Sequence, residues 1–463
     1  MKTNHYEGVA SSTSATTREP LQSPISVLPP EVHSLVFEFA FTSEGIKASV
    51  ILCKVSKLWH KLALENPLLW TRLTISLPYD LEAIAKILAR SKSCLIDLRL
   101  IVPYSHQVHS KQTVSPPRIY ERLSGLLSGP YGRCRIPCIQ GIFRNSDYTL
   151  VELLSPLRTL SMPHLEQFEL NGKDVECAEL PESATRLFTE APRLRKVALG
   201  GYGLLNYTVP LSQVTTLHLI APKARYTYEA LTPMLQSCPL LTFLAIYDDL
   251  LPADWHSAHS GACHLPQLQS LFVLGTMMHV SELLLYLRAP DLRELVISPM
   301  TTDDLGLFHS DHDPSAPRFP QLQSLTLSCT KAEFLPVVVL ASACFPGVTR
   351  LVLPDIYPKK FEKAFGNPEM QLFPSVRKLA VQNVQKNFLS SMNLVSTLRG
   401  TNQPWIDTLY MDIGSILRAD PEQINPDGHY NLIEADIWEE QRQKALYTDG
   451  VSRFASSMSW ENT

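Results

Sequence analysis

The sequence predicts an α/β chain: a small helical unit, then an irregular solenoid whose stacked strands form a curved parallel sheet with helices or loops outside. Three observations predict it. An eight-residue pattern, Pro-x-apolar-x-x-apolar-x-apolar, recurs through most of the chain, and repeats of this kind build stacked architectures. Thirty-five prolines stand in 463 residues, above the usual share of about 5%. They cut the chain into short elements, because proline cannot continue a central helix or strand. Residues 24–70 place apolar side chains at helical rather than alternating spacing.

Taken in order, residues 1–23 are polar, with a Ser/Thr run at Ser11–Thr17, and read as a disordered tail. Residues 24–70 read as a helical domain. Pro29 and Pro30 suit a helix start, and Val32, Leu35, Val36 and Phe39 then share one face. A second helical pattern holds Val50, Ile51, Val55, Leu58, Trp59, Leu62 and Ala63, and Asn66-Pro67 ends it before Leu68-Leu69-Trp70. A unit of this size carries more apolar surface than it can bury alone.

Residues 71–415 read as the solenoid. Pro163-His164-Leu165-Glu166-Gln167-Phe168-Glu169-Leu170 returns as Pro266-Gln267-Leu268-Gln269-Ser270-Leu271-Phe272-Val273 and as Pro320-Gln321-Leu322-Gln323-Ser324-Leu325-Thr326-Leu327. The first apolar residue of each unit, the leader, is Leu165, Leu194, Val214, Leu241, Leu268, Leu292, Leu322, Val348, Val376 or Ile406. From Leu165 to Ile406 the mean interval is about 27 residues. Proline stands two residues before the leader in every unit except that of Val214, which has Ser212. The alternating end of each unit predicts a short strand with those side chains facing inward. Tyr228–Gln236, Met278–Arg288 and Ala332–Ala343 are the expected return helices, and Pro103–Pro117 reads as an inserted loop. Weaker units at Trp70-Leu73-Ile75, Leu95-Leu98-Leu100 and Ile139-Ile142 extend the array backwards. Residues 416–463 read as a C-terminal helix over Asn431–Tyr447 and a tail.

Composition narrows the function. The net charge is −4, which argues against a nucleic-acid binder or a polybasic membrane-surface protein. The nine scattered cysteines form no CxxC and read as reduced thiols. No apolar run reaches the roughly 18 residues of a membrane helix, and no signal-like segment opens the chain. The expected location is cytoplasmic or nuclear, which leaves the sequon Asn206-Tyr207-Thr208 without a role.

The spacing of about 27 residues resembles the leucine-rich repeat, over about residues 70–415. One departure is the column eight positions after the leader, where the usual Asn or Cys is missing and Lys173, Tyr202, Pro222 and Asp249 stand instead. That predicts an irregular arc with unequal loops. Residues 24–70 resemble the F-box motif, through Leu28-Pro29-x-Glu31-Val32, Leu35-Val36-Phe37, Val55-Ser56-Lys57-x-Trp59 and Asn66-Pro67-x-Leu69-Trp70-x-x-Leu73. The Phe41–Ser49 stretch lacks the Asp-Leu step usual between the first two helices. The arrangement resembles fungal F-box proteins with degenerate leucine-rich repeats.

This resemblance implies a substrate receptor of an SCF-type cullin–RING ubiquitin ligase, itself non-catalytic and without a cofactor or metal. Leu28, Pro29, Val32, Leu35 and Val36 would dock on a Skp-family adaptor, which connects to the cullin and RING subunits. Val55, Leu58, Trp59 and Trp70 would form the core of the helical unit. The repeats would hold a protein substrate for ubiquitination. The alternative is a leucine-rich-repeat scaffold uncoupled from any ligase.

Strand positions two, four and six after the leader point away from the core. They bring Phe243, Tyr247, Phe272, Leu274 and Val296 together on three consecutive strands, the expected exposed aromatic patch for the substrate. The C-terminal helix is the alternative cover for it. Other clusters read as structural. His256, His259, Cys263 and His264 lack the paired spacing of a zinc site, and His309, Asp311, His312 and Asp313 read as a solvated loop. Cys134 and Cys138 have no second pair, and Gly200-Gly201-Tyr202-Gly203 matches no phosphate-binding fingerprint.

Overall fold

The structure, a computed structural model, describes residues 28–76, 80–102, 116–143, 154–174, 185–201, 203–204, 207–220, 228–247, 263–275, 280–310, 318–354, 356–367, 369–382, 384, 387–398, 406–418 and 430–434. The tail 1–23, the start of the helical domain at residues 24–27, most of the Pro103–Pro117 loop and the C-terminal residues 435–463 lie outside the described residues.

Among the described residues, fourteen strands form one parallel sheet in strict chain order. They are β1 (Arg72–Ser76), β2 (Ile96–Val102), β3 (Cys134–Phe143), β4 (Gln167–Asp174), β5 (Lys196–Gly201), β6 (Thr216–Ile220) and β7 (Phe243–Tyr247). The array continues through β8 (Ser270–Leu274), β9 (Glu294–Ser298), β10 (Ser324–Leu327), β11 (Arg350–Leu353), β12 (Lys378–Val381), β13 (Thr408–Met411) and β14 (Asn431–Glu434). Chain-order pairing of parallel strands means that each unit stacks only on its neighbours, the arrangement of a solenoid. Ten strands follow the ten leaders, and the weaker units before them supply β1 to β3.

The leaders are all buried, and below them the inward residues of successive strands merge into one core running from Leu73 to Tyr430. The recurrent proline has a local cause. In unit after unit the leader's N–H donates to the carbonyl three residues back, as Leu165 does to Met162 at 3.2 Å and Leu268 to Leu265 at 3.2 Å. Proline therefore occupies the second position of a tight turn, where its fixed φ is already correct. In the Val214 unit the same turn forms from Leu211 without proline.

A second ladder supports the entry to each strand in the absence of the asparagine column. One carbonyl accepts two N–H groups from the next unit: Thr242 takes Gln269 at 2.8 Å and Ser270 at 3.0 Å, and Gln269 takes Arg293 and Glu294. The main chain thus satisfies its own groups at one end of the strands from β4 to β13.

The return segments are α4 (Leu81–Arg90), α5 (Pro116–Tyr131), α6 (Tyr228–Gln236), α7 (Val280–Tyr286), α8 (Thr302–Ser310), α9 (Phe334–Cys344), α10 (Pro358–Phe365), α11 (Phe388–Leu398) and α12 (Ile413–Arg418); the helices of the N-terminal unit, α1 to α3, are described below. The helix expected at 228–236 matches α6, while the expected Met278–Arg288 helix is shorter and gives way to a two-residue strand at Leu287–Arg288. Among the described residues no helix is long and apolar enough to cross a membrane.

One expected element begins differently. Asn431–Glu434 opens the expected C-terminal helix, yet it is β14, paired with β13 through Thr408↔Asn431 and Met411↔Glu434. The open edge of β13 captures this segment, extending the sheet past residue 415. Ile437, Trp438 and Leu446, which shaped the helical reading, lie outside the described residues.

Candidate docking surface of the helical unit

The N-terminal unit holds α1 (Pro30–Glu44), α2 (Ile46–Val55) and α3 (Lys57–Glu65), followed by a 3-10 turn at Pro67–Trp70. Pro30 starts α1 with its φ already helical. Gly45, at φ 59, ends it and opens α2; a side chain is disfavoured at that φ. The apolar spacing of residues 50–63 predicts one helix, but Ser56 is extended at φ −157 and divides it. Its hydroxyl caps α3 by accepting from the Trp59 N–H at 3.1 Å.

Phe37, Phe41, Leu52, Ala63, Leu69 and Trp70 form the interior of the unit. Trp59 is half-buried and meets Phe37 edge-on, with centroids 4.9 Å apart. Trp70 donates from Nε1 to the Ala63 carbonyl at 2.9 Å, and Ser49 Oγ donates to the Leu69 carbonyl at 2.7 Å. Asn66 accepts from the Leu68 N–H and donates from Nδ2 to Glu38 Oε1 at 3.2 Å. The closing Asn-Pro-x-Leu-Trp segment therefore ties all three helices together.

The same unit is fastened to the first repeats. Ile46 packs against both the interior of the unit and the solenoid core. The Arg90 guanidinium lies 4.6 Å from the Trp70 ring centre. Arg72 lies 5.6 Å from the Phe41 ring centre and donates to the Thr42 carbonyl at 2.9 Å. Asp97 accepts a two-point contact from Arg135, at 3.1 and 2.8 Å, with Arg72 3.9 Å away.

What remains outside is apolar. The five residues predicted for adaptor docking are all exposed, with Leu35 at 66% and Val36 at 42%. Val32, Leu35, Val36 and Phe39 follow the i, i+3, i+4, i+7 spacing of one helix face, and Phe39 is 81% exposed. Val50 and Ile51 on α2 and Leu68 beyond α3 are also exposed; the docking set predicted from sequence omits them and Phe39. For Phe39, the spacing of α1 already holds the signal.

Two residues assigned to the core of this unit are misplaced. Val55 is 55% and Leu58 43% exposed, because the break at Ser56 turns both outward; they belong to the surface set. Trp70 is buried as expected and Trp59 partly so.

The aromatic patch on the sheet also departs from expectation. Phe243, Tyr247, Phe272, Leu274 and Val296 do meet, joined by Ile220 and Ala245. Phe272 pairs in register with Ala245 and Val296, and its ring lies 4.9 Å from that of Phe243. However, Phe272 and Val296 are wholly buried, and Tyr247 nearly so. With Phe243 and Leu274 half-buried, these residues form a second, largely buried apolar layer on the opposite face of the sheet from the main core. Parallel sheets are ordinarily covered on both faces. His218 belongs to this layer, stacked on Tyr247 at 6.0 Å with Nδ1 3.2 Å from its hydroxyl. Burial first, and the Lys196 charge second, push the imidazole down to about 4, so it stays neutral near neutral pH.

Cys263 and His264 form a two-residue strand beside Leu287–Arg288; His256, His259, Asp311, His312 and Asp313 lie outside the described residues. Among the described residues no group of three His, Cys, Asp or Glu is placed to hold a metal. Burial pushes the Cys134 thiol up to about 12. Gly200 and Gly203 serve close packing: a Cβ would come within 2.6 Å of Asn171 Oδ1 at the first and 2.5 Å of the Leu170 carbonyl at the second.

No family model matches the chain, and no curated protein matches it. Among solved structures it is similar to the leucine-rich repeat-containing protein LegL7 from Legionella pneumophila, at 12% identity and a TM-score of 0.34, over 82% of this chain and 98% of that one.

Proposed function

We propose that the chain is a non-catalytic substrate receptor of an SCF-type cullin–RING ubiquitin ligase, working in the cytoplasm or nucleus. The helical unit docks on a Skp-family adaptor, which connects it to the cullin and RING subunits. The repeat array holds a protein substrate. The bond-making chemistry belongs to the partner subunits.

The observation that supports this reading is the surface of the helical unit. Its interior is complete and its closing turn is hydrogen-bonded, yet Val32, Leu35, Val36 and Phe39 face outward on α1 in one stripe. Burying one such side chain is worth about 1.5–3 kcal/mol, enough for a few of them to anchor a partner. The stripe contains three of the five residues that the F-box resemblance assigns to the adaptor. Co-purification with a Skp-family adaptor tests the reading. Wild-type chain is expected to retain the adaptor, and the double variant Leu35→Asp, Phe39→Asp to release it while remaining folded. A folded wild-type chain that recovers no adaptor would favour the uncoupled scaffold.

A further inference from the structure

A cavity of about 210 Å³ opens where two consecutive units turn back toward the sheet, between the ends of α8 and α9. Phe308, Phe319, Leu322, Cys344 and Phe345 line it and are buried; Gly347 stands at its exposed rim. Phe308 is near-parallel to both other rings, at 5° and 6.4 Å from Phe319 and at 27° and 5.6 Å from Phe345. Arg318 borders the cavity and is held by a 2.9 Å donation to the Leu285 carbonyl.

The rim has a distinguishing feature in the repeat register. Gly347 occupies the place between the turn proline and the leader, where all nine other units carry a side chain, from His164 to Trp405. A Cβ at Gly347 would meet nothing within 4 Å. Apart from Arg318, whose guanidinium is turned to the Leu285 carbonyl, the lining side chains carry no charge: Cys344 Sγ lies 3.8 Å from His309 Nδ1, and burial pushes the thiol up to about 12, which removes it as a nucleophile near neutral pH.

We propose that this corner is a binding site for one planar, uncharged aromatic ring. The volume exceeds the roughly 150 Å³ of an apolar cavity that stays dry and takes up benzene. Aromatic walls offer such a ring offset-stacked or edge-on contact. A purely aliphatic ligand would gain only its area burial.

Isothermal titration of the full chain with indole, and separately with N-acetyl-tryptophanamide, tests the proposal. At least indole is expected to bind, and Gly347→Leu, which adds a side chain at the rim where a Cβ meets nothing within 4 Å, is expected to weaken it at least about tenfold. Gly125→Leu, on the exposed face of α5, is expected to leave binding unchanged. Binding of the amide as well would identify a ring carried by a peptide; binding of indole alone would identify a free ligand. In the wild type, amide shifts on adding indole are expected at Phe345 and Gly347, which reads the site without a variant. No indole binding by the folded wild type, or shifts confined to other residues, would overturn the proposal.

Discussion

The helical unit and the repeat array treat apolar side chains in opposite ways. In the central strands of the array, residues are buried on both faces: Leu271 and Val273 face the main core, and Phe272 between them lies at 0% exposure on the other side. In the helical unit, Phe37 is equally buried, but Leu35 and Phe39 on either side of it are 66% and 81% exposed. Closed packing on both faces leaves the central sheet positions nothing to offer a partner. An open stripe on a small, internally complete unit does. The difference directs the search for a partner contact to α1 and away from the aromatic cluster of β7 to β9.

Substitutions can break this contrast, the largest effect being in the array. Phe272→Asp places an unpaired charge in a wholly buried apolar layer, which costs several kcal/mol. We expect it to abolish cooperative unfolding rather than remove one partner selectively; a folded Phe272→Asp protein, seen by circular dichroism, would show that layer to be open. Next comes Trp70→Ala, which removes a buried ring, the hydrogen bond to Ala63 and the face under Arg90. It should cost about 3–5 kcal/mol in denaturant unfolding, and Trp59→Ala, half-buried, clearly less. Equal losses would mean that the unit closes differently.

His218 gives a pH-dependent prediction. Its folded value of about 4 lies below the usual value near 6.5, so the unfolded chain binds more protons between the two. Its contribution to stability is therefore complete above about 6.5 and lost as pH falls toward 4, by at most roughly 3 kcal/mol. His218→Phe should flatten that part of the stability profile, and an unchanged slope would exclude the imidazole as its source. The smallest effect on stability belongs to α1: Leu35→Ala should stay within about 0.5 kcal/mol of wild type by the same unfolding measurement.

Much of the array is legible in its leaders, because one short pattern sets the turn, the buried position and the strand together. Less legible are features set by neighbours. Asn431–Glu434 is too short to declare its own structure, and pairing with β13 decides it. Ser56 interrupts a continuous apolar spacing without Pro or Gly, so Val55 and Leu58 read as core although they face outward. Phe272 reads as exposed because alternation along one strand says nothing of what covers the second face. The exposed stripe on α1 is legible because helical spacing alone separates Phe37 from Leu35 and Phe39.

The most direct measurement is the recovery of a Skp-family adaptor with the purified chain, compared between wild type and the Leu35→Asp, Phe39→Asp variant at matched folded amounts. Stoichiometric recovery is expected with the first and loss with the second. Recovery that is absent from both, or equal in both, would contradict adaptor docking through α1.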